Sequence, residues 1–368
     1  MRFLVFEENV PKLASTGGHV ATLAMLDHLS TMGEVHLVNL VSDPSLSDTE
    51  KLMTGTEVTV VDISHSVAGN LVTKIKRVIL SDPKMVQEVD WARLLKSIAK
   101  EIALADRVIL GWARFLKLLD FAEFPIAKSY YVADNVEYQL ALSMASNYKS
   151  VWLCQRDSQR IKSFEARGVA KVHRASAFTP RDCLELSRIS GREVDLVPPV
   201  LAPLDRPKQI REPFALYATN LSHPPNLDAI DWLLNEVWPQ MPPQSKLVVT
   251  GAGDFEAYRV SHPNVNFAGF VSREELNDLY DRCSVVLNPT RTGSGIQIKM
   301  LEALAFDCPV VTTTFSNPFG DRLPHSDDPR EFARLVTEQL EGTHNQRLNY
   351  LEFSNESTQK LASFLELV

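Results

Sequence analysis

A short stretch in the last third of the chain combines small residues with two charged side chains. It reads RTGSGIQIKMLEAL over residues 291–304, so a glycine-rich loop precedes a helical pattern that carries Lys299 and Glu302. Residues three apart share one face of a helix. An ammonium group can bind a phosphate, and a carboxylate can accept hydrogen bonds from a vicinal diol. The two side chains together predict a nucleoside diphosphate site. The alternative is an ordinary surface ion pair.

A second glycine loop follows the first apolar segment of the chain. It reads STGGH and places Gly17 and Gly18 immediately before a helical pattern. Glycine lets a backbone approach a ligand closely, and the free N–H groups of a helix N-terminus attract anions. This loop therefore predicts a second contact to the same phosphate group. The alternative is that these glycines only serve a turn.

Candidates for acceptor chemistry lie in the first half of the chain. His19 directly follows the glycine loop, and Asp134 ends an apolar strand, where sites in α/β proteins form. We predict catalytic roles for both, together with Lys299. Weaker candidates are Asn135, Glu137 and His173. The alternatives are a capping histidine and ordinary turn residues.

Apolar strand patterns alternate with amphipathic helix patterns along the whole chain. Such alternation predicts βαβ units and parallel sheets. A proline-rich, charged segment, PPVLAPLDRPKQIREP, interrupts the alternation at residues 198–213. We therefore predict two α/β domains at 1–200 and 210–354, followed by a C-terminal helix at 355–368.

Bulk properties exclude several classes of protein. The 368 residues carry a formal net charge of -8, which disfavours nucleic-acid binding. The four cysteines form no CxxC, which argues against a zinc site and a disulfide framework and favours the cytoplasm. No apolar run approaches the ~20 residues of a membrane span. Walker A, GxGxxG and DxD motifs are absent from the sequence.

Several segments resemble one known family. PTRTGSGIQIKMLEALAFDCPVV, at residues 289–311, resembles the signature of the family 4 (group 1) glycosyltransferases, and NFAGFVSREELNDLYDRCSVVLNPT is similar to the segment before it. The resemblance is good over 214–313 and weaker in the first domain. It implies the GT-B fold, in which two Rossmann-like, doubly wound α/β domains face each other across a cleft and a C-terminal helix can cross back to the first domain.

The resemblance also implies roles for individual residues. The ribose hydroxyls are expected at Glu302 and the diphosphate at Gly17 and Gly18. The base is expected at the backbone of Gly269, Phe270 and Val271. The remaining donor-side residues lie where phosphates and sugar approach; they are Arg291, Thr292, Gly293, Ser294, Gly295 and Lys299. Ser294 departs from the family pattern, which has the first glutamate of an ExxxxxxxE motif at this position.

The implied activity is transfer of a hexosyl group from a nucleotide-diphosphate sugar to a carbohydrate, lipid-linked or small-molecule acceptor. The resemblance implies retention of configuration, no metal or other cofactor, and a place in glycan, glycolipid or polysaccharide biosynthesis. Lys299 and Arg291 would stabilise the departing diphosphate. Two alternatives stay open, namely a non-catalytic nucleotide-sugar-binding subunit and a nucleotide-sugar 2-epimerase.

Residues 71–80, LVTKIKRVIL, mix bulky apolar side chains with three cations. Such a stretch can bind an anionic membrane surface. It supports the hypothesis of a cytoplasmic protein in peripheral contact with the inner face of the membrane. The alternative is an ordinary helix with solvated lysines.

Overall fold

The computed structural model describes residues 1–7, 17–41, 56–62, 82–87, 89–144, 151–202, 210–343 and 348–367. The chain divides into two compact units. The first comprises Met1–Val200, Ser294–Ile296 and Ser357–Val368, and the second comprises Leu201–Gly293 and Gln297–Glu356. Both units are parallel-sheet α/β structures, as the alternating sequence pattern predicts.

The first unit is built on a seven-stranded parallel sheet with the order β3-β2-β1-β4-β5-β6-β7. Its strands are β1 (Arg2–Glu7), β2 (Glu34–Val41), β3 (Thr56–Asp62), β4 (Arg107–Leu110), β5 (Ser129–Ala133), β6 (Arg174–Ala177) and β7 (Asp195–Leu196). Continuous apolar runs such as Phe3–Phe6 are fully buried, as expected for strands covered on both faces. The strand order reverses between β1 and β4, where ligands bind in open α/β sheets.

In the described part of the first unit, seven α-helices connect or cover these strands. They are α1 (Gly17–Met32), α2 (Lys84–Gln87), α3 (Trp91–Ser97), α4 (Ala99–Leu104), α5 (Glu137–Ser143), α6 (Val151–Lys171) and α7 (Pro180–Ser190), with 3-10 turns at Ala113–Asp120 and Ile126–Lys128. The sequence predicts one helix over residues 91–104. The structure interrupts it at Ile98, which is fully buried and has a non-helical backbone (φ -117°, ψ 15°).

The second unit is built on a five-stranded parallel sheet with the order β10-β9-β8-β11-β12. Its strands are β8 (Glu212–Asn220), β9 (Lys246–Ala252), β10 (Asn266–Gly269), β11 (Cys283–Asn288) and β12 (Val310–Thr312). The order reverses between β8 and β11. The carboxyl ends of these two central strands therefore mark the expected ligand edge of this unit.

The α-helices that begin in the second unit are α8 (Pro224–Trp232), α9 (Glu256–Ser261), α10 (Arg273–Arg282), α11 (Ile298–Ala305), α12 (Pro329–Leu340) and α13 (Tyr350–Phe364). The described residues of this unit also form a π-helical turn at Leu233–Val237 and 3-10 turns at Trp238–Gln240 and Gly320–Arg322. Ser272 and Glu275 form a capping box at the start of α10.

The C-terminal helix α13 begins at Tyr350, earlier than the predicted residue 355. The side chain of Asn349 explains the earlier start, because its Oδ1 accepts hydrogen bonds from the N–H groups of Leu351 (3.1 Å) and Glu352 (3.3 Å). From Ser357 onward the chain belongs to the first unit, where Phe364 is buried.

All four cysteines are free and buried. Cys283 and Cys308, distant in sequence, bring their sulfurs within 3.3 Å of each other. Among the residues that the structure describes, none of the helices has the length and apolar character needed to cross a membrane.

Candidate functional site

Helix α11 presents the two charged side chains that the sequence singles out. The helix begins at Ile298, so Gly293, Ser294 and Gly295 lie in the loop before its first turn. Met300, Leu301, Ala303 and Leu304 are fully buried, so most of the helix surface is packed inside the unit. Lys299 is half-buried, and the side chain of Glu302 is 13% exposed.

Glu302 is held by two donors from α10. The Nη1 of Arg273 lies 2.5 Å from its Oε1, and the hydroxyl of Tyr280 donates to its Oε2 at 3.1 Å. Burial, reinforced by the negative charge of Glu302, raises the pKa of Tyr280 well above its usual value. Neither Arg273 nor Tyr280 is a predicted site residue, since each lies more than twenty positions from Glu302 in sequence.

Lys299 is held apart from Glu302. Its Nζ lies 4.8 Å from the ring centroid of Tyr217, a fully buried residue of β8. Burial lowers the pKa of the ammonium to about 8, and in the described part of the chain no carboxylate offsets this shift. The Lys–Glu surface pair considered as the alternative is therefore not formed, and Lys299 is a cation suited to an anionic ligand.

Arg291 differs from Lys299 because it already has a carboxylate partner. Its Nε and Nη2 donate to the two oxygens of Asp228 at 3.2 and 2.8 Å, and its guanidinium lies 5.2 Å from the ring centroid of Trp232. The sequence predicts a cation for the ligand here, whereas the structure shows one that Asp228 largely neutralises. Thr292, the next residue, is exposed.

The glycines before α11 adopt backbone conformations that favour glycine. Gly293 has φ 115° and Gly295 has φ 74°. Space also matters at Gly295, where a Cβ would lie 2.5 Å from the carbonyl oxygen of Asp134. At Gly293 the nearest atom to such a Cβ is 3.6 Å away, so the conformation alone explains that glycine.

Residues Ser294–Ile296 belong to the first unit by their contacts. The Oγ of Ser294 accepts a hydrogen bond from the N–H of Val136 at 2.6 Å, just before α5. The N–H of Gly295 donates to the Oδ2 of the buried Asp182 at 3.1 Å. The serine that replaces the expected glutamate therefore binds backbone in this state.

Three carboxylates gather at the carboxyl ends of β5 and β6. Burial and the neighbouring Asp182 raise the pKa of Asp134 to about 6. Burial raises the pKa of Glu165 to about 8, although its oxygens accept hydrogen bonds from the N–H groups of Glu137 (3.0 Å) and Tyr138 (3.2 Å). Sequence reasoning found Asp134 but missed Glu165 and Asp182, which lie inside helices and carry no motif.

The predicted amino-terminal loop is only partly described. Helix α1 begins at Gly17, so Gly17, Gly18 and His19 occupy its first turn, while residues 8–16 lie outside the described part. Burial lowers the pKa of the half-buried His19. Neutral imidazole at pH 7 is the form that can accept a proton.

The predicted base-reading segment ends β10. Gly269 has φ 71° and its carbonyl accepts a hydrogen bond from the hydroxyl of Thr250 at 2.7 Å. Phe270 is 82% exposed, and Val271 is half-buried. His173 precedes β6, at the amino end of its sheet, and lies 3.1 Å from Glu366, which removes it from the candidate site.

Comparison with known proteins finds a family model that matches about a third of the chain. Residues 212–341 match the family described as Glycosyl transferases group 1. Part of the chain is 28% identical over 137 residues to an uncharacterized 44.6 kDa protein in the cps region of Klebsiella pneumoniae, a match that covers 33% of this chain. It spans 35% of that protein, about a third of the curated relative's length.

Solved structures resemble the whole chain at low identity. HepE from Anabaena, in complex with UDP, is 13% identical with a TM-score of 0.65, covering 100% of this chain and 98% of HepE. A TarM variant from S. aureus, also with UDP, is 11% identical with a TM-score of 0.65, covering 99% and 98%. WaaG, a glycosyltransferase of lipopolysaccharide biosynthesis, is 13% identical with a TM-score of 0.59, covering 99% and 95%.

These similarities agree with the two parallel sheets. Residues 212–341 are thus similar to the group 1 glycosyl transferases, within a chain of two α/β units that has the GT-B fold.

Proposed function

We propose that this protein is a glycosyltransferase that moves a hexosyl group from a nucleotide-diphosphate sugar to an acceptor. One observation carries the proposal. On α11 of a group 1 domain, Lys299 and Glu302 are not paired with each other. They offer a cation for a diphosphate and a carboxylate for a diol.

The donor nucleotide would be divided between these groups. Glu302 would accept hydrogen bonds from the ribose hydroxyls, and Lys299 would contact the diphosphate. With a pKa of about 8, Lys299 is about 90% protonated at pH 7, and a bound diphosphate would raise that pKa further. The backbone of Gly269, Phe270 and Val271 would meet the base.

The chemical step requires stabilisation of the departing diphosphate. Lys299 and the N-terminus of α11 would offset its developing charge. Asp134, with a pKa of about 6, and His19 are the candidates to take the proton of the acceptor hydroxyl. Catalysis without a metal and with retention of configuration stays a prediction.

The relatives support particular substrates. HepE and TarM were solved with UDP, so UDP is the first nucleotide to test. The cps-region relative and WaaG support a role in polysaccharide or lipopolysaccharide assembly, with a carbohydrate or lipid-linked acceptor.

A non-catalytic nucleotide-sugar-binding subunit is the second candidate. Ser294 favours this non-catalytic candidate, because the resemblance implies a glutamate at this position. The serine hydroxyl instead accepts a hydrogen bond from the N–H of Val136. Donor binding without transfer to any acceptor extract would support the second candidate over the first.

Thermal stabilisation by nucleotides tests donor binding directly. The chain is heated with UDP, GDP, ADP, TDP or CMP, without added metal. A ligand at ~100 times its Kd adds about 2.7 kcal/mol to the free energy of unfolding. We expect one nucleotide to stand out and Glu302→Ala to abolish its effect.

The matched control for this experiment is Glu256→Ala, which removes an exposed carboxylate of the same unit that pairs with Arg259. It should keep the full stabilisation. Undiminished stabilisation of the Glu302→Ala variant would contradict the assignment of Glu302.

Peripheral membrane contact and a cytoplasmic location stay hypotheses. Residues 71–80 lie outside the described part of the chain. Co-sedimentation with anionic vesicles at low and high salt tests the contact, and the hypothesis requires binding that salt weakens.

A further inference from the structure

The carboxylate of Glu302 is held from two directions by one helix. Arg273 donates to Oε1 and Tyr280 donates to Oε2, so each oxygen has one fixed donor. The two donors lie seven residues apart on α10, about two helical turns, and therefore share a face. A single rigid element sets the orientation of the carboxylate.

These donors leave acceptor capacity on both oxygens. An ionised carboxylate has about four lone-pair sites, and two of them are filled here. One site therefore remains on each oxygen, which matches the two O–H donors of a cis-diol. The positive charge of Arg273 also offsets the negative charge of Glu302, which would otherwise repel a nearby diphosphate.

The donors themselves have little freedom. Tyr280 is fully buried, with its ring centroid 5.3 Å from that of Phe306. The capping box at Ser272 fixes the helix one residue before Arg273. At the other end of α10, Nη1 of Arg211 donates to the carbonyl of Tyr280 at 3.2 Å, while its Nη2 donates to the carbonyl of Phe306, at the end of α11, at 3.0 Å.

We propose that Arg273 and Tyr280 are positioning residues that aim Glu302 at a cis-diol, so that this domain selects ribonucleoside diphosphates over their 2′-deoxy counterparts. The inference rests on the proposed function and deepens it. A 2′-deoxyribose offers only one hydroxyl to the carboxylate, so one aligned acceptor site would be left without its donor. The discrimination depends on alignment, and a carboxylate free to rotate would lose much of it.

The test compares the Kd values of UDP, GDP and ADP with those of dUDP, dGDP and dADP by calorimetry on the full chain. The variants are Arg273→Met, Arg273→Lys and Tyr280→Phe. The matched control is Arg282→Met, on the same helix, whose side chain pairs with Glu212 and Asp278.

For the preferred base we expect the wild type to bind the ribonucleotide about 10- to 100-fold more tightly, as one hydrogen bond to a charged group allows. Arg273→Met and Tyr280→Phe should reduce this ratio to roughly 3-fold or less. Tyr280→Phe should leave the deoxynucleotide Kd nearly unchanged, whereas Arg273→Met should raise it, because the uncompensated charge of Glu302 then repels the diphosphate. Arg273→Lys should recover part of the ratio, and Arg282→Met should keep all of it.

A purely structural role would weaken ribo- and deoxynucleotides equally, and that result would overturn the inference. So would a wild-type ratio near one, or an unchanged ratio in both folded variants. Tyr280→Phe retains the ring and its packing, which keeps the test open if Arg273→Met does not fold. If the wild type binds none of the nucleotides, the proposed function itself fails and takes the inference with it.

Discussion

The ammonium of Lys299 costs the ligand-free protein stability, because burial opposes its charge and its one described aromatic partner, Tyr217, compensates only in part. The same arrangement favours an anion. A half-buried cation without a carboxylate at the proposed phosphate site therefore lowers the stability of the ligand-free chain and raises its affinity for an anion.

Replacement of Lys299 tests whether this residue lowers stability and raises nucleotide affinity. At pH 7, Lys299→Met should raise the free energy of unfolding of the ligand-free chain by about 1–2 kcal/mol, after allowance for partial solvation. The same change should weaken nucleotide binding at least ~10-fold. Urea denaturation and calorimetry measure the two effects, with the exposed Lys246→Met as control.

The pH dependence of this difference follows from the pKa of Lys299, which is about 8 in the folded chain against an ordinary 10.5. Between these values the unfolded state binds more protons, so the wild type gains stability as pH rises. The advantage of Lys299→Met should therefore be largest below pH 8 and shrink toward pH 10. A methionine variant less stable than the wild type at pH 7 would refute this explanation.

Sequence spacing locates Lys299 and Glu302 but not what they touch. Their i, i+3 relation predicts mutual contact, whereas Glu302 instead contacts Arg273 and Tyr280 on α10. A guanidinium and a buried phenol outcompete a flexible lysine because they are pre-oriented by packing. Such partners depend on how α10 and α11 pack together, which local spacing cannot show.

At the scale of elements, the side chain of Arg211 forms hydrogen bonds with the C-terminal ends of α10 and α11. Its guanidinium donates to the carbonyls of Tyr280 and Cys283 at the end of α10, and of Phe306 and Asp307 at the end of α11. Carbonyls at a helix end lack partners within the helix, and a cation there also favours the helix dipole. Arg211 thus holds both α10, which carries Tyr280, and α11, which carries Glu302.

Arg211→Met should lower the free energy of unfolding by about 1–3 kcal/mol, since it removes four hydrogen bonds from a charged group to these carbonyls. Nucleotide affinity should fall as well, because Arg211 no longer holds the two helices that carry Tyr280 and Glu302 in a fixed relative position. Chemical denaturation and calorimetry measure the effects. Arg334→Met, which removes an exposed i, i+3 and i, i+4 pairing on α12, should change stability by less than ~0.5 kcal/mol. Equal effects of the two substitutions would contradict the anchoring role.

Most strands could be predicted because fully buried parallel strands are continuous apolar runs, as in β1 and β11. Helix ends were less predictable. The helical pattern of α11 extends back toward Gly295, but the left-handed backbone there delays its start to Ile298. Asn349 has the opposite effect on α13, because its side chain caps the helix and moves its start to Tyr350, ahead of the predicted residue. These ends depend on single backbone angles and side-chain contacts.

At the scale of the whole molecule, the first unit includes residues from the far end of the chain. Phe364 packs edge-on against Tyr130 of β5 with centroids 5.5 Å apart, and the Nε of Arg107 donates to the carbonyl of Leu365 at 2.9 Å. The alternating sequence pattern and the proline-rich linker predicted two α/β domains. They could not show that Ser294–Ile296 would leave the second, because only contacts distant in sequence decide that.

Phe364→Ala should lower the free energy of unfolding by about 3–5 kcal/mol, as expected for a large side chain removed from a core. Leu351→Ala on the same helix is the control, because Leu351 is 58% exposed and should contribute little. Thermal denaturation measures both, and hydrogen exchange should show the loss of protection in β5 and β6. Equal destabilisation by the two substitutions would contradict the role of α13 in the first unit.

The return of the chain after Glu356 has a consequence for biosynthesis. A ribosome completes all of residues 201–356 before it delivers Phe364, which packs against Tyr130 of β5, and Leu365, whose carbonyl accepts a hydrogen bond from Arg107 of β4. Maturation of the amino-terminal sheet must therefore wait until the second unit has been synthesised, and a nascent chain stalled within that unit would still expose Tyr130 to chaperones.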